Sequence, residues 1–328
     1  MKCMVFDFGG SSVKYAIVND RAEILFSAKE DAPLGSQEDF IGMIKKLYGL
    51  YGEETDGIAL SIPGIVDGET GMHHGAGAYA ALLRGKNVVE MVRDACHTRV
   101  AAENDGKCGA LAEVWNGALS DVPDGAVLIL GTGIGGGVIM NRKVHRGLNF
   151  SAGEFSFAIT NSESGGLMDE AWLNIGVVGM TYKICKLKNL DLSVQDAGNT
   201  LLKYDGLLKD RYPVYEESPA QVRADGKQIF RWLEEGDPAA ERVYEEFRRS
   251  MANLLHNIQV CFAPEKIVLG GGLSRVERLL PDISGELEKF YGRYCIPEML
   301  HANICRSTYL DECNLLGAMY HFMQQNEA

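Results

Sequence analysis

Positive charge is scarce in this chain: 32 Lys and Arg stand against 45 Asp and Glu in 328 residues, a net charge of −13. A surface of that sign repels phosphate backbones, so no nucleic-acid partner is expected. Long apolar runs are missing as well. The longest uncharged stretch, Gly125 to Met140, is too short for a bilayer-spanning helix and crowded with glycine, so no membrane partner is expected either. No apolar signal core follows Lys2, because Met1 to Phe6 runs straight into Asp7. Close cysteine pairs are lacking: none of the eight cysteines forms Cys-x-Cys or Cys-x-x-Cys. That excludes a disulfide frame or a compact zinc site, and points to buried thiols in a reducing, cytoplasmic location. The Walker sequence G-x-x-x-x-G-K-[ST] is absent, which removes a P-loop, and no low-complexity tract occurs.

What is present is an ordinary globular composition, 46% hydrophobic, in a length that predicts about two domains. Cys3 to Phe6 and Tyr15 to Val18 read as strands around a Gly9-Gly10-Ser11-Ser12 turn. Ser36 to Asp39 reads as a capping box before a helix, Gly57 to Ile62 as a strand, and Val88 to Ala95 as a helix. Arg99 to Ala102 then predicts a strand and Gly106 to Trp115 a helix. About 120 residues after the opening hairpin, Val127 to Leu130, a glycine turn and Val138 to Met140 repeat its pattern, which suggests two related α/β domains facing a cleft. Asp237-Pro238 starts a long helix, Ile267 to Leu269 is a strand running into Gly270-Gly271-Gly272, and Leu315 to Gln324 predicts a C-terminal helix. Residues 189–225 read as partly irregular.

Three glycine-rich turns therefore leave apolar strands, a pattern that fits a nucleotide cradle. Gly131-x-Gly133-x-x-Gly136 also matches the dinucleotide fingerprint, but that motif needs its last glycine to open a helix, and here the sequence continues as strand. Asp7, at a strand end beside the first turn, suits either a turn aspartate or a carboxylate holding Mg²⁺ through water. Lys14 suits phosphate or solvent. Glu103-Asn104-Asp105, between strand and helix, reads equally as an N-cap or as side chains pointing into a cleft. Glu154 is either a surface acid or a ligand for hydroxyls.

Taken together, Asp7 to Lys14, Ile62 to Asp67, Glu103 to Asp105, Leu130 to Gly137, Ala152 to Glu154 and Ile267 to Gly272 resemble, in order, the motifs of the ROK family (repressor, open reading frame, kinase) of sugar kinases. The resemblance implies the two-domain actin-like, ribonuclease H-like α/β fold. A smaller domain would span residues 1–117, with a C-terminal helix in 306–328 packing back on it, and a larger one residues 118–305. It implies ATP and Mg²⁺ as cofactors, a small sugar as partner, and a homodimer by family analogy. Asp105 would be the general base, with Gly64, Asn104, Glu154 and Glu170 binding sugar. Asp7, Gly9, Gly10, Ser11, Ser12, Lys14, Thr132, Gly133, Gly271 and Gly272 would bind nucleotide. The acceptor hydroxyl would be the 6-OH of a hexose, an N-acetylhexosamine or a β-glucoside. Family members commonly carry a histidine three residues after the glutamate and a zinc-holding cysteine cluster beyond it. Phe157 stands at the first position and no cysteine lies in Ser162 to Met168, so no zinc site is expected. The alternatives are a sugar-binding regulator, whose family members carry a winged helix-turn-helix ahead of the kinase-like part, and a catalytically degenerate sugar-binding protein. The first phosphate motif begins at Asp7, where no such winged domain is expected, and Asp105 speaks for turnover.

Overall fold

A computed structural model describes residues 1–10, 12–52, 54–162, 166, 169–192, 221–309 and 312–326. Ser11 and most of the irregular stretch lie outside the described residues. The chain forms two compact units, one of Met1–Val127, Gly136–Gly153 and Ser307–Ala328, the other of Leu128–Gly135 and Glu154–Arg306.

In chain order the elements are β1 (Lys2–Phe8), β2 (Ser12–Asn19), β3 (Ile24–Asp31), α1 (Gln37–Tyr51), β4 (Ile58–Ile62), β5 (Ile65–Val66), β6 (Met72–Gly75), α2 (Ala80–Leu83), β7 (Lys86–Asn87), α3 (Val88–Cys96), β8 (Val100–Asn104) and α4 (Asp105–Asn116). There follow β9 (Gly125–Leu130), β10 (Ile134–Met140), β11 (Lys143–His145), α5 (Ala171–Ile175), α6 (Val177–Leu187), β12 (Asp191–Leu192), β13 (Gln221–Val222), α7 (Gly226–Glu234), α8 (Pro238–Phe262), β14 (Lys266–Gly270), α9 (Leu279–Tyr294), β15 (Ile304–Arg306) and α10 (Cys313–Asn326).

The first sheet has the order β3-β2-β1-β4-β8, with β1–β2 and β2–β3 antiparallel and β1–β4 and β4–β8 parallel. Strand alternation sorts β1 into two faces. Met4, Phe6 and Phe8 join Phe40, Ile44 and Leu47 of α1 and Val88 and Val92 of α3 in one buried cluster. Asp7, of opposite parity, meets Asn314 of α10 instead. Backbone contact explains how closely α10 packs on α4: a Cβ built on Gly317 would fall 1.7 Å from the Cys108 carbonyl oxygen, so no larger residue fits there.

A second sheet repeats that layout in the order β11-β10-β9-β14-β15, with β10–β11 antiparallel and β14–β15 parallel. Helix ends follow local chemistry. The Ser36 hydroxyl accepts from the Asp39 N–H, and the Asp237 carboxylate accepts from the N–H groups of Ala239 and Ala240, with Pro238 at the first helical position. Gly136 lies inside β10, so the dinucleotide pattern fails on context. Among the described residues no helix is long and apolar enough to cross a membrane.

All eight cysteines are free, but they do not share one environment. Burial pushes the thiols of Cys3, Cys185 and Cys313 up to about 12, whereas Cys261 and Cys295 are exposed. The expectation of buried thiols fails at these two positions, where Cys261 lies in the last turn of α8 and Cys295 caps α9 in the left-handed conformation.

Candidate active site

In the first unit, β8 ends where α4 begins, and the switch is made by Asn104. Its side-chain oxygen accepts from the Lys107 N–H at 3.0 Å, an N-cap that starts the helix. Its amide nitrogen donates to the Gly64 carbonyl at 2.8 Å and to Asp105 Oδ1 at 2.9 Å. Asp105 Oδ1 also accepts from the Gly106 N–H at 2.8 Å, so two donors fix that oxygen at the first position of α4. The cap reading of Asn104 holds, and the capping asparagine also bonds its acidic neighbour.

Gly64 stands where only glycine fits. Its φ is +114°, and a Cβ would fall 2.5 Å from the Ala76 carbonyl oxygen and 2.8 Å from His73 Nε2. His73, fully buried, accepts the Gly75 N–H on Nδ1, so its Nε2–H donates to the Pro63 carbonyl at 3.1 Å. Burial lowers its pKa and favours this neutral form. One step earlier in the chain, Glu103 is completely buried and paired with Arg146, at 2.7 Å from Nη2.

Asp7 sits at the first hairpin. Its Oδ1 accepts from Ser61 Oγ at 2.9 Å and from Asn314 Nδ2 at 3.0 Å, and Lys14 is its cross-strand partner. Burial raises its pKa, and the bonds from Asn314 and Ser61, with the Lys14 charge, oppose that rise. The turn is closed by the Gly9 N–H donating to the Ser12 carbonyl, while the Gly9 carbonyl accepts from the Tyr79 hydroxyl at 3.2 Å. Gly10 is exposed.

In the second unit the glycine turn after β9 is tied down mostly by backbone, with the Ser156 hydroxyl donating to the Ile134 carbonyl just after it. The carbonyls of Gly131 and Thr132 accept from the N–H groups of Val177 and Val178, the first two residues of α6, which has no side-chain cap. Among the described residues, built Cβ atoms on Gly131, Gly133 and Gly272 meet nothing within 4 Å. Gly271 differs: at φ +81° and ψ −179°, its Cβ would lie 2.5 Å from the Leu130 carbonyl oxygen. Glu154 precedes a 3-10 turn of Phe155–Phe157, and Glu170 Oε2 accepts from the Trp172 indole N–H at 2.7 Å. Phe157 is 57% exposed.

Arg146, Asn314, Tyr79 and His73 carry none of the sequence motifs. Asn314 lies 307 residues from Asp7 and Arg146 lies 43 from Glu103, separations at which spacing gives no signal.

The chain matches the ROK family model over residues 3–166 and 206–325. It belongs to the ROK family. Over 325 residues it is 29% identical to a beta-glucoside kinase of Listeria monocytogenes, covering 99% of this chain and 98% of that one. It is 30% identical over 278 residues to an N-acetyl-D-glucosamine kinase of Histophilus somni, covering 84% of this chain and 85% of the other. A ROK family protein of Streptococcus pneumoniae, solved in complex with sucrose, superimposes with a TM-score of 0.78 at 25% identity, covering 100% of this chain and 99% of that one. The fold is the actin-like ATPase fold of ROK sugar kinases, and the two relatives named as kinases support phosphotransfer to a sugar hydroxyl as the activity class.

Proposed function

We propose that this ROK protein is an ATP-dependent kinase that transfers the γ-phosphoryl group to the 6-hydroxyl of a hexose, an N-acetylhexosamine or a β-glucoside, with Asp105 as general base. The observation that carries the reading is the double anchoring of Asp105 Oδ1 by Asn104 Nδ2 and the Gly106 N–H. A carboxylate fixed in this way can align an alcohol and take its proton as the oxygen attacks phosphorus and ADP leaves. Gly64 and Asn104, joined by a hydrogen bond, bring the sugar-side loop to the same helix start. Glu154 and Glu170 are assigned to further hydroxyls, and the Gly131 to Gly133 turn with Gly271 and Gly272 to the phosphates and adenosine.

The residues present suit Mg-ATP. Asp7 offers hard oxygen chemistry at a desolvated site, and Gly131, Gly133 and Gly272 leave open space where side chains would stand. Bound Mg²⁺ would supply charge neutralisation on the phosphates, with Asp7 holding it through water. Lys14, in register with Asp7, adds positive charge beside that carboxylate.

The test is ADP release with Mg-ATP across glucose, mannose, N-acetylglucosamine, N-acetylmannosamine and a β-glucoside. At least one sugar should be turned over, and Asp105→Asn should lower kcat on that sugar by on the order of 1,000-fold. An equal rate in the variant removes Asp105 as the base.

A further inference from the structure

Glu103 is a carboxylate with no exposure at all, and its partner is Arg146 from the segment after β11. Glu103 Oε2 accepts from Arg146 Nε at 3.1 Å and Nη2 at 2.7 Å, while Oε1 accepts from the Asn104 N–H at 2.9 Å. The same carboxylate thus grips a guanidinium on one oxygen and, on the other, the backbone of the residue that orients Asp105. Arg146 is held in turn: its carbonyl accepts from the Ala152 N–H at 3.1 Å, closing the loop that runs on through Gly153 into Glu154.

The pair is covered by backbone. A Cβ on Gly68 would lie 2.3 Å from Glu103 Oε2 and 2.9 Å from Arg146 Nη2. The Gly68 carbonyl accepts from the buried His321 Nε2–H at 2.9 Å, which fixes that cover to α10. A buried ion pair adds little stability over apolar groups of the same volume, because desolvating both charges offsets their attraction. What it adds is direction, since three hydrogen bonds on one carboxylate leave it a single orientation.

We infer that Arg146 is a positioning residue for phosphoryl transfer: through Glu103 it fixes the Asn104-Asp105 corner, and through its carbonyl it fixes the loop leading to Glu154. The inference rests on the kinase reading above and assigns Arg146 no contact with substrate. Removing the guanidinium keeps both hydrogen bonds on Asp105 Oδ1 but loosens the Glu103 carboxylate that holds the Asn104 N–H, so the whole corner carrying Asp105 can shift; misplacements of about 1 Å are enough to lower a rate about 100-fold.

The experiment compares wild type, Arg146→Lys, Arg146→Met and the double variant Arg146→Met/Glu103→Gln, in full-length protein, on whichever sugar the wild type turns over. Arg146→Met should lower kcat by roughly 10- to 100-fold while KM for ATP changes less than about twofold. Arg146→Lys should recover part of that loss, because it keeps the charge but not the forked geometry. In the double variant the thermal midpoint should return toward wild type, since no unpaired carboxylate stays buried, while kcat stays low. A folded Arg146→Met variant with wild-type kcat overturns the inference and leaves the kinase reading standing. So does a double variant whose kcat recovers together with its midpoint, which would make the pair structural only. A wild type that phosphorylates no sugar in the panel overturns the kinase reading, and this inference with it.

Discussion

The two glycine hairpins are alike in sequence and unlike in what holds them. Around the β1–β2 turn the work is done by side chains: Ser61 and Asn314 on Asp7, Tyr79 on the Gly9 carbonyl, Lys14 across the strand pair. Around the β9–β10 turn it is done mostly by backbone, with two turn carbonyls capping the first two residues of α6 and Gly271 lying against Leu130, and with the Ser156 hydroxyl bonding the Ile134 carbonyl. Side chains bring charge and can be tuned by neighbours, while backbone brings shape and tolerates only what fits. Substitutions at the first turn should therefore change chemistry, and those around the second should change stability only where a side chain has no room.

The sharpest test of that contrast is Asp7→Asn. It keeps the volume and can still bond Ser61 or Asn314, but it removes the charge. We expect kcat to fall by on the order of 100-fold, with a higher Mg²⁺ requirement and a nearly unchanged thermal midpoint. Loss of stability instead of activity would break the comparison.

At the second turn the expected effect is a smaller one and lies in folding. Gly271→Ala forces a Cβ to within 2.5 Å of the Leu130 carbonyl oxygen from a backbone conformation that is essentially glycine-only. It should cost about 2–3 kcal/mol in denaturant unfolding. Gly133→Ala, where a built Cβ meets nothing within 4 Å, should stay within about 0.5 kcal/mol. Equal losses at both positions would show that crowding at the turn is not what selects glycine.

The smallest effect concerns pH. His73 and His321 are buried, and burial lowers both pKa values below the ordinary 6.5. The unfolded chain then binds protons that the folded chain refuses, so their contribution to stability is complete above 6.5 and is lost as pH falls through the depressed values. The slope is at most about 1.4 kcal/mol per pH unit for each histidine. Asp7 acts in the opposite sense at lower pH, because burial raises its pKa and the folded state favours its proton. Urea unfolding at pH 7.5 and 5.5 should show the loss, and His321→Asn should flatten it.

Much of this was legible beforehand, for local reasons. The Ser36 and Asp237 caps, the β1–β2 hairpin, β4, α4 and β14 each follow from a pattern a few residues long. Strand β3 was less so, because its second half, Ser27 to Asp31, is mostly polar and exposed at a sheet edge. Helices α5 and α6 were hidden by Gly176 and Gly179, which interrupt the helical spacing and are there because Trp172 and Leu173 backbone atoms lie within 2.4 Å of their built Cβ positions. At the site, Asn104 and Asp105 could be singled out by type and position, but the pairing of Glu103 with Arg146 could not.

By itself, the order of residues determined the alternation that puts Phe6 and Phe8 on one face and Asp7 on the other, the glycine turns after apolar strands, and the asparagine that begins α4 beside an acid. These depend on bonds between near neighbours, whose geometry is fixed by the chain's own repeat. Only the tertiary structure decided that Asn314 would reach Asp7, that Arg146 would neutralise Glu103, and that Gly68 would roof that pair. A buried charge must find its counter-charge wherever packing delivers one, and nothing in the spacing of a sequence states where that will be.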